Sequence, residues 1–186
     1  LIREHVQGLT LGDPLDPTTD IGPVIDQTAQ ARLQGHIDSQ PETRRQALMS
    51  KPGHGHFVSP TLVEIDHIDA MNGEHFGPVL HVIRYKSKQV DDVMAEINQC
   101  GFGLTLGVHS RNQHWIEQIV AKAQVGNVYV NRNMVGAVVA SQPFGGRGLS
   151  GTGPKAGGPF YLHRFVTEKT ITINTTAFGG NQELLG

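Results

Sequence analysis

The sequence predicts an α/β fold in which helices flank a mostly parallel sheet. Two observations lead to this prediction. Short apolar segments alternate with amphipathic helical patterns between residues 79 and 131, which is the order typical of parallel βαβ units. The composition, with 38% hydrophobic side chains and 23 glycines in 186 residues, is that of a globular chain with a core of ordinary size.

The first segment of the chain predicts two helices separated by a loop. Residues 1–6 have the pattern of the last turns of a helix and lack the features of a signal peptide, so we expect a piece of a longer protein. A proline-rich loop covers residues 12–26. Asp26 is expected to cap a helix that runs to about Ser39. Its apolar residues recur every four positions on one face: Ala29, Leu33 and Ile37.

Two strands and a helix are predicted next. Residues 57–65 and 79–85 have strand composition, although Pro60 is expected to push part of the first strand to a sheet edge. Ser87 is a candidate cap for the following helix. The apolar residues of that helix fall at helical spacing: Val90, Val93, Met94 and Ile97.

The second half begins with a strand–helix–strand pattern. Residues 104–109 and 127–131 are predicted strands, joined by a helix that Asn112 caps and Gly126 ends. Seven glycines among residues 145–158 predict irregular backbone. Alternating β-branched residues predict a final strand over residues 170–176, whose unpaired edge would need a partner or a cover.

Composition excludes several classes of function. The net charge of −2 gives no basic footprint for nucleic acid. The longest apolar stretches, such as residues 135–140, are far too short to span a bilayer. A single cysteine, Cys100, cannot form an internal disulfide, and this low cysteine usage favours a reducing compartment such as the cytoplasm.

Three patterns resemble functional motifs, but each is better explained as ordinary structure. Residues 146–151 match G-x-G-x-x-G, but no strand leads into them and the following prolines and glycines prevent a helix from opening there. Cys100 continues an apolar helix face, which favours a buried, inert thiol. His54 and His56 have no second ligand cluster, so a surface loop is favoured over a metal site, and we expect no bound metal.

One loop segment carries candidate chemistry. Residues 74–79 (EHFGPV) place a carboxylate and an aromatic ring two positions apart, just before a predicted strand. Glu74 could accept hydrogen bonds from both hydroxyls of a ribose, and Phe76 could flank a flat nicotinamide. The spacing alone equally fits an ordinary loop with a capping glutamate and a core phenylalanine.

Three segments, taken in their order along the chain, favour the functional interpretation of this loop. They are EHFGPV at residues 74–79, GNVYVNR at 126–132 and QPFGGRGLSGTG at 142–153. Together they resemble the aldehyde dehydrogenase superfamily over nearly the whole chain. The resemblance implies the C-terminal part of an aldehyde dehydrogenase catalytic domain over residues 1–169. It also implies a C-terminal oligomerisation strand and tail over residues 170–186, and hence a homo-oligomer.

Two segments nearer the C-terminus resemble a particular group of aldehyde dehydrogenases. KAGGPFYL at residues 155–162 is similar to the substrate-anchoring loop of L-glutamate γ-semialdehyde dehydrogenases, also called Δ1-pyrroline-5-carboxylate dehydrogenases. The ending after residue 170 is similar to that of the bifunctional proline utilization A family. The resemblance implies NAD-dependent oxidation of glutamate γ-semialdehyde to glutamate in bacterial proline catabolism. An FAD-dependent proline dehydrogenase would be fused in the same protein.

The family pattern assigns roles to five residues. Glu74 would hold the nicotinamide ribose, and Phe76 would pack near the nicotinamide. Gly157 and Gly158 would present backbone N–H groups to the substrate's α-carboxylate, which two residues without Cβ allow an anion to approach. Phe165 would line the aliphatic part of the substrate. The pattern gives Lys155 no role, so we expect a solvated lysine there.

The departures from the family pattern also matter. Many members carry a second glutamate where Gly73 stands, and His75 replaces the usual apolar residue. The family's catalytic cysteine would lie upstream, so no catalytic residue is assigned and the isolated chain is expected to be inactive. Two alternatives stay open: an aldehyde dehydrogenase of other substrate specificity, and a non-enzymatic binding module.

Overall fold

Strands and amphipathic helices alternate along the chain, and the boundary between two compact units falls between Gly101 and Phe102. The structure, a computed structural model, describes residues 2–174. No helix within that range has both the length and the apolar character that crossing a membrane requires.

The first unit is built on one three-stranded sheet. Its elements, in chain order, are α1 (Ile2–Gln7), α2 (Gln27–Ser39), β1 (Arg45–Ala47), β2 (Thr61–Glu64), β3 (Val79–Val82) and α3 (Val90–Gln99). β2 and β3 are parallel, with Thr61 opposite Val79, and β1 pairs antiparallel with β2. The parallel pair confirms the predicted α/β class, whereas the antiparallel β1 was not predicted.

Helix α2 begins where the sequence predicts and provides much of the core. The carboxylate of Asp26 accepts a hydrogen bond of 2.7 Å from the N–H of Ala29, which satisfies one of the unpaired donors at the helix start. Leu33 and Ile37 on one face are almost fully buried and pack against Val58. The predicted apolar face is therefore the buried face of this helix.

Proline sets where β2 starts. The predicted strand covered residues 57–65, but pairing begins only at Thr61, after Pro60. Pro60 has no N–H to donate, and its carbonyl accepts a hydrogen bond of 2.8 Å from Leu48 instead. Phe57 and Val58 are buried outside the ladder, so their apolar character reflects the core and not a strand.

The cap predicted for α3 is wrong. Ser87 lies in a 3₁₀ turn, Ser87–Gln89, which leads directly into the helix. The N–H of Lys86 donates to the side-chain oxygen of Gln89 at 3.0 Å, so Gln89 stabilises the entry in place of Ser87. Met94 on the predicted apolar face is buried, as expected.

The second unit contains two separate strand pairs. Its elements are β4 (Phe102–Gly103), β5 (Thr105–Val108), α4 (Gln113–Lys122), β6 (Asn127–Val130), β7 (Arg147–Gly148) and a 3₁₀ turn, Tyr161–Phe165. β5, α4 and β6 form the predicted parallel βαβ unit. Asn112 caps α4 as predicted, because its side-chain oxygen accepts a hydrogen bond of 3.2 Å from Trp115. The helix ends at Lys122, before the predicted stop at Gly126.

The glycine-rich segment is irregular, as predicted. Within residues 145–158 the only strand is β7, which pairs antiparallel with β4 over two residues. Isolated bridges join Phe144 to Ala156 and Gly146 to Gly151. The segment therefore folds back on itself through single contacts rather than through a ladder.

The described part of the predicted final strand, residues 170–174, does not form a strand. Residues 170–174 belong to no strand, and Ile171 and Ile173 are exposed by 69% and 68%. A strand requires a ladder with a neighbouring strand, and none of the sheets among the described residues includes this segment. The rest of the predicted strand and the tail, residues 175–186, lie outside the described residues. The division at residue 169 stays a prediction.

Replacing Leu33 with alanine should destabilise the chain by about 2–5 kcal/mol, because Leu33 is fully buried and the core around it can close only partly. Urea denaturation followed by circular dichroism measures this change. Leu15→Ala is the matched control: Leu15 is 91% exposed, and its loss should change the free energy of unfolding by less than about 0.5 kcal/mol. Equal effects of the two substitutions would contradict the assignment of the core.

Candidate functional site

Glu74 and Phe76 lie in the loop between a 3₁₀ turn, Ile68–Met71, and strand β3. The side chain of Glu74 is exposed, and that of Phe76 is 73% exposed. A core phenylalanine, the alternative considered for this position, is therefore wrong. An exposed carboxylate can accept hydrogen bonds from a ligand, and an exposed aromatic ring can cover a flat group.

The loop is supported from below by helix α2. A Cβ at Gly77 would overlap Cδ1 of Leu33, so the backbone of this residue rests directly on the core. Only glycine allows this approach. Gly77 is the residue after Phe76, so this contact fixes the end of the candidate segment.

Histidine provides the second support. The ring of His75 stacks on that of His36 of α2, with centroids 3.5 Å apart and planes 20° from parallel. Nε2 of His75 lies 2.6 Å from the carbonyl oxygen of Met71. His36 also lies 2.8 Å from His81 of β3, measured between the two Nε2 atoms.

Burial lowers the pKa of His36 below its usual value of 6.5, and repulsion from His75 and His81 lowers it further. Burial also lowers the pKa of His81, with repulsion from His75 as the second cause. Both rings are therefore neutral at pH 7. Sequence reasoning missed this cluster, because its members are up to 45 positions apart.

Gly157 and Gly158 lie in a tight turn that begins at Lys155. The N–H of Gly158 donates to the carbonyl of Lys155 at 3.0 Å, and Gly157 has φ +72°, as the third position of a type II turn requires. The N–H of Gly158 is thus already used within the turn. The role predicted for these two amides stays a prediction, in which a carboxylate would compete with the carbonyl of Lys155 for the N–H of Gly158.

Lys155 is not the solvated side chain that the sequence predicted. It is half-buried, and its Nζ donates to the carbonyl of Gly126 and lies 3.4 Å from Oδ1 of Asn127. Its backbone forms the first position of the turn that contains Gly157. The ammonium group therefore ties this turn to the start of β6.

Asn127 organises the same region and was missed as well. Its side-chain oxygen accepts a hydrogen bond of 3.3 Å from Gly145, and its side-chain nitrogen donates to the carbonyl of Pro143 at 3.1 Å. A Cβ at Gly126 would overlap the carbonyl of Gly145, so the two backbones touch there. The partners lie 16–29 positions apart in the sequence, and no local pattern could signal them.

Phe165 ends the 3₁₀ turn Tyr161–Phe165 and is 67% exposed. Its ring meets that of Tyr161 edge to face, with centroids 5.4 Å apart. This contact orients the ring without burying it. An exposed, oriented ring can serve as apolar lining for a ligand.

The five predicted residues fall in two groups. Glu74 and Phe76 belong to the first unit, and Gly157, Gly158 and Phe165 belong to the second. Within the first unit, Glu74 and Phe76 lie two positions apart in the same exposed loop. Within the second, the turn joins the glycines, and Phe165 follows seven positions later.

The structure also shows where the three motif-like patterns without an assigned function lie. Cys100 is half-buried at the end of α3, and its Sγ donates to the carbonyl of Ile97 at 2.9 Å. His54 and His56 are exposed in a loop, as expected. No helix follows the G-x-G-x-x-G match at residues 146–151 within the described part of the chain. Across residues 2–174, no three histidine, cysteine or acidic side chains are arranged to hold a metal ion.

Comparison with known proteins adds to this geometry. Residues 1–171 match the aldehyde dehydrogenase family. The chain is 49% identical to the bifunctional protein PutA of Klebsiella aerogenes, over 91% of this chain and 14% of that protein. It is 38% identical to 1-pyrroline-5-carboxylate dehydrogenase 2 of Halalkalibacterium halodurans, over 88% of this chain and 32% of that protein.

Solved structures give the same relationship. A crystal structure of a mutant of Bradyrhizobium japonicum proline utilization A aligns with a TM-score of 0.83 and 51% identity. The alignment covers 95% of this chain and 18% of the solved one. A mutant of Thermus thermophilus 1-pyrroline-5-carboxylate dehydrogenase aligns with a TM-score of 0.75 and 34% identity, over 87% and 32% of the two chains. The chain therefore spans a third or less of the length of these relatives.

Gly77→Ala should destabilise the chain by about 1–3 kcal/mol, because the added methyl group would overlap Leu33 in the core. Gly35→Ala is the control, since a Cβ at this position in α2 has open space around it and alanine favours the helix by up to about 1 kcal/mol. Thermal unfolding of the two variants gives the comparison. If Gly77→Ala proved as stable as Gly35→Ala, the contact with Leu33 would not exist in solution.

Proposed function

Because the chain belongs to the aldehyde dehydrogenase family, we propose that it contributes cofactor and substrate contacts to a glutamate γ-semialdehyde dehydrogenase. The observation behind this proposal is the exposed Glu74–Phe76 segment, held from below at His75 and Gly77. A segment that is already held in one conformation loses less conformational entropy when a ligand binds, and this favours binding. The PutA and 1-pyrroline-5-carboxylate dehydrogenase relatives favour this substrate class.

The cofactor in the proposal is NAD. The carboxylate of Glu74 would accept hydrogen bonds from the two hydroxyl groups of the nicotinamide ribose, as charge-assisted bonds. The exposed ring of Phe76 would cover one face of the nicotinamide. NAD, when bound, accepts the hydride that leaves the aldehyde carbon. The role of these two residues is to hold the nicotinamide in one orientation during that transfer.

The substrate contacts would come from the second unit. Phe165 offers an exposed apolar face to the methylene groups between the aldehyde and the α-carbon. The turn at Gly157 and Gly158 would receive the α-carboxylate. Because the Gly158 N–H donates to Lys155 within the turn, a carboxylate has to compete with that carbonyl or use the neighbouring amide. Lys155 would position the turn through its bond to Gly126.

The nucleophile of the proposed reaction would come from outside these 186 residues. Cys100 is the only cysteine of the sequence, and it lies at the end of α3, outside the nucleophile motif of the family that the sequence resembles. We therefore expect no turnover from the isolated chain.

The wider setting is proposed on the same basis. Relatives at 46–49% identity are named bifunctional, which favours fusion to the FAD-dependent proline dehydrogenase of the predicted family. The single cysteine favours a cytoplasmic enzyme. The exposed residues Ile171 and Ile173, without a strand partner among the described residues, favour pairing with a second copy.

A chimera tests the proposal: this chain replaces the matching segment of the Klebsiella aerogenes PutA, and NADH formation from Δ1-pyrroline-5-carboxylate is assayed. We expect turnover from the chimera and none from the isolated chain. Within the chimera, Glu74→Ala should raise the KM for NAD about 10- to 100-fold, the effect of losing charged hydrogen bonds. Gly158→Ala should raise the KM for the aldehyde alone.

Matched controls are available in the same unit as each residue tested. Glu42→Ala removes a side chain that is 91% exposed and should leave both KM values unchanged. Arg132 lies in the second unit and stacks on Tyr129, so Arg132→Lys should leave the KM for the aldehyde near its original value. Unchanged kinetics in Glu74→Ala would remove Glu74 from the cofactor site.

A further inference from the structure

Three histidines of the first unit form a cluster next to the candidate ligand segment. His36 lies on α2, His81 on β3, and His75 in the loop between Glu74 and Phe76. Their ring centroids are 3.5 Å apart for His36 and His75, and 5.1 Å for His36 and His81. The cluster thus connects the helix and the strand to the candidate ligand segment.

The hydrogen bond of His75 assigns the donor nitrogen of its ring. A carbonyl oxygen only accepts, so Nε2 of His75 must carry the hydrogen that donates to Met71. The other ring nitrogen, Nδ1, is buried and has no hydrogen-bond partner among the described residues.

The contact between His36 and His81 also limits protonation. One hydrogen lies between two Nε2 atoms 2.8 Å apart, so one ring donates and the other accepts. A single added proton can be shared across this contact. When both rings are protonated, each Nε2 carries a hydrogen, so the bond is lost and two like charges face each other.

Carboxylates that could stabilise charged rings are engaged elsewhere or exposed. Asp38 on α2 pairs with Arg45 at 2.5 Å, and Glu64 on β2 pairs with Arg84 at 2.8 Å. The other charged groups on the surrounding elements are exposed: Arg32 on α2, Asp69 in the 3₁₀ turn and Glu74 in the loop. Protonation of His36 and His81 is thus opposed by burial and, second, by repulsion from the neighbouring rings.

We infer that His36 and His81 are positioning residues for the nicotinamide dinucleotide: through His75 they hold Glu74 and Phe76 while the rings are neutral, and protonation releases them. The role of Glu74 in this inference rests on the proposed function. The proton-dependent support of the segment does not, because it follows from contacts within the first unit.

The direction of the pH effect follows from the lowered pKa values of His36 and His81. The unfolded chain binds protons near pH 6.5, whereas the folded chain binds them only at lower pH. The unfolded state therefore binds more protons as the pH falls below 6.5, and the free energy of unfolding decreases. The decrease ends once the pH is below the folded-state pKa values. The support is intact at about pH 7.5 and weakened towards about pH 5.5.

Nuclear magnetic resonance of the 186-residue chain tests the support without any cofactor. We expect the Cε1–H signals of His36 and His81 to titrate below pH 6.5. The backbone amide signals of Phe76 and Gly77 should shift with the same midpoint. Amide signals that stay constant while the rings titrate would overturn the inference.

Two substitutions separate titration from packing. His36→Phe keeps a ring against His75, and His36→Gln keeps a polar partner for His81. In both variants the amide of Phe76 should lose the midpoint seen in the native chain. His54→Gln removes an exposed histidine of the same unit and should change nothing. Native-like amide titration in both His36 variants would contradict the inference, even if one of them proved unstable.

The chimeric enzyme supplies the second readout. Between about pH 7.5 and pH 5.5 the KM for NAD should rise about fivefold, the lower end of ordinary coupling between linked sites. In His36→Phe this rise should disappear, while the pH dependence of kcat stays that of the parent. If Glu74→Ala left the KM for NAD of the chimera unchanged while the amide signals of the chain still titrated, the proposed function alone would be rejected. If Glu74→Ala raised the KM for NAD but the amide signals did not titrate, the histidine support alone would be rejected.

Discussion

The buried face of helix α2 is the contact on which the first unit depends. Leu33 has no exposed surface, closes the core with Ile37 and Val58, and lies directly beneath the backbone of Gly77. One turn further along, His36 carries the stacked ring of His75. Residues three apart on a helix share a face, so one surface both forms the core and holds the loop. Stability of the core and placement of the candidate ligand segment therefore have the same cause.

In the second unit, the turn that contains Gly157 is held in place by contacts between crossing segments of the chain. Gly126 and Gly145 approach so closely that a side chain on Gly126 would not fit, and Asn127 and Lys155 tie the crossing chains together. The turn at Gly157 is held at its first residue by that lysine. A loop of glycines would otherwise be flexible, because glycine loses the most conformational entropy on folding. Rigidity here comes from side chains on both sides of the crossing.

Features that depend on residues close together in the sequence could be predicted, whereas contacts between residues far apart in the sequence could not. Asp26 and Asn112 cap helices as predicted because a cap acts within three residues. The segment that bears Glu74 was found by its motif, whereas the role of His75 depends on a ring 39 positions away in the sequence. Residues 170–174 have strand composition but no strand, because pairing needs a neighbour that composition cannot supply.

A double-substitution cycle between Leu33 and Gly77 tests the central claim, that the core residue itself supports the loop. In the native chain Gly77→Ala introduces a methyl group into the space of Leu33. In a Leu33→Ala background that space is empty, so the cost of the same substitution should fall by about 1 kcal/mol or more, as urea denaturation would measure. The cost that remains comes from the positive φ of Gly77, which strains any side chain there. Costs that simply add, within about 0.5 kcal/mol, would show that the two residues do not touch in solution.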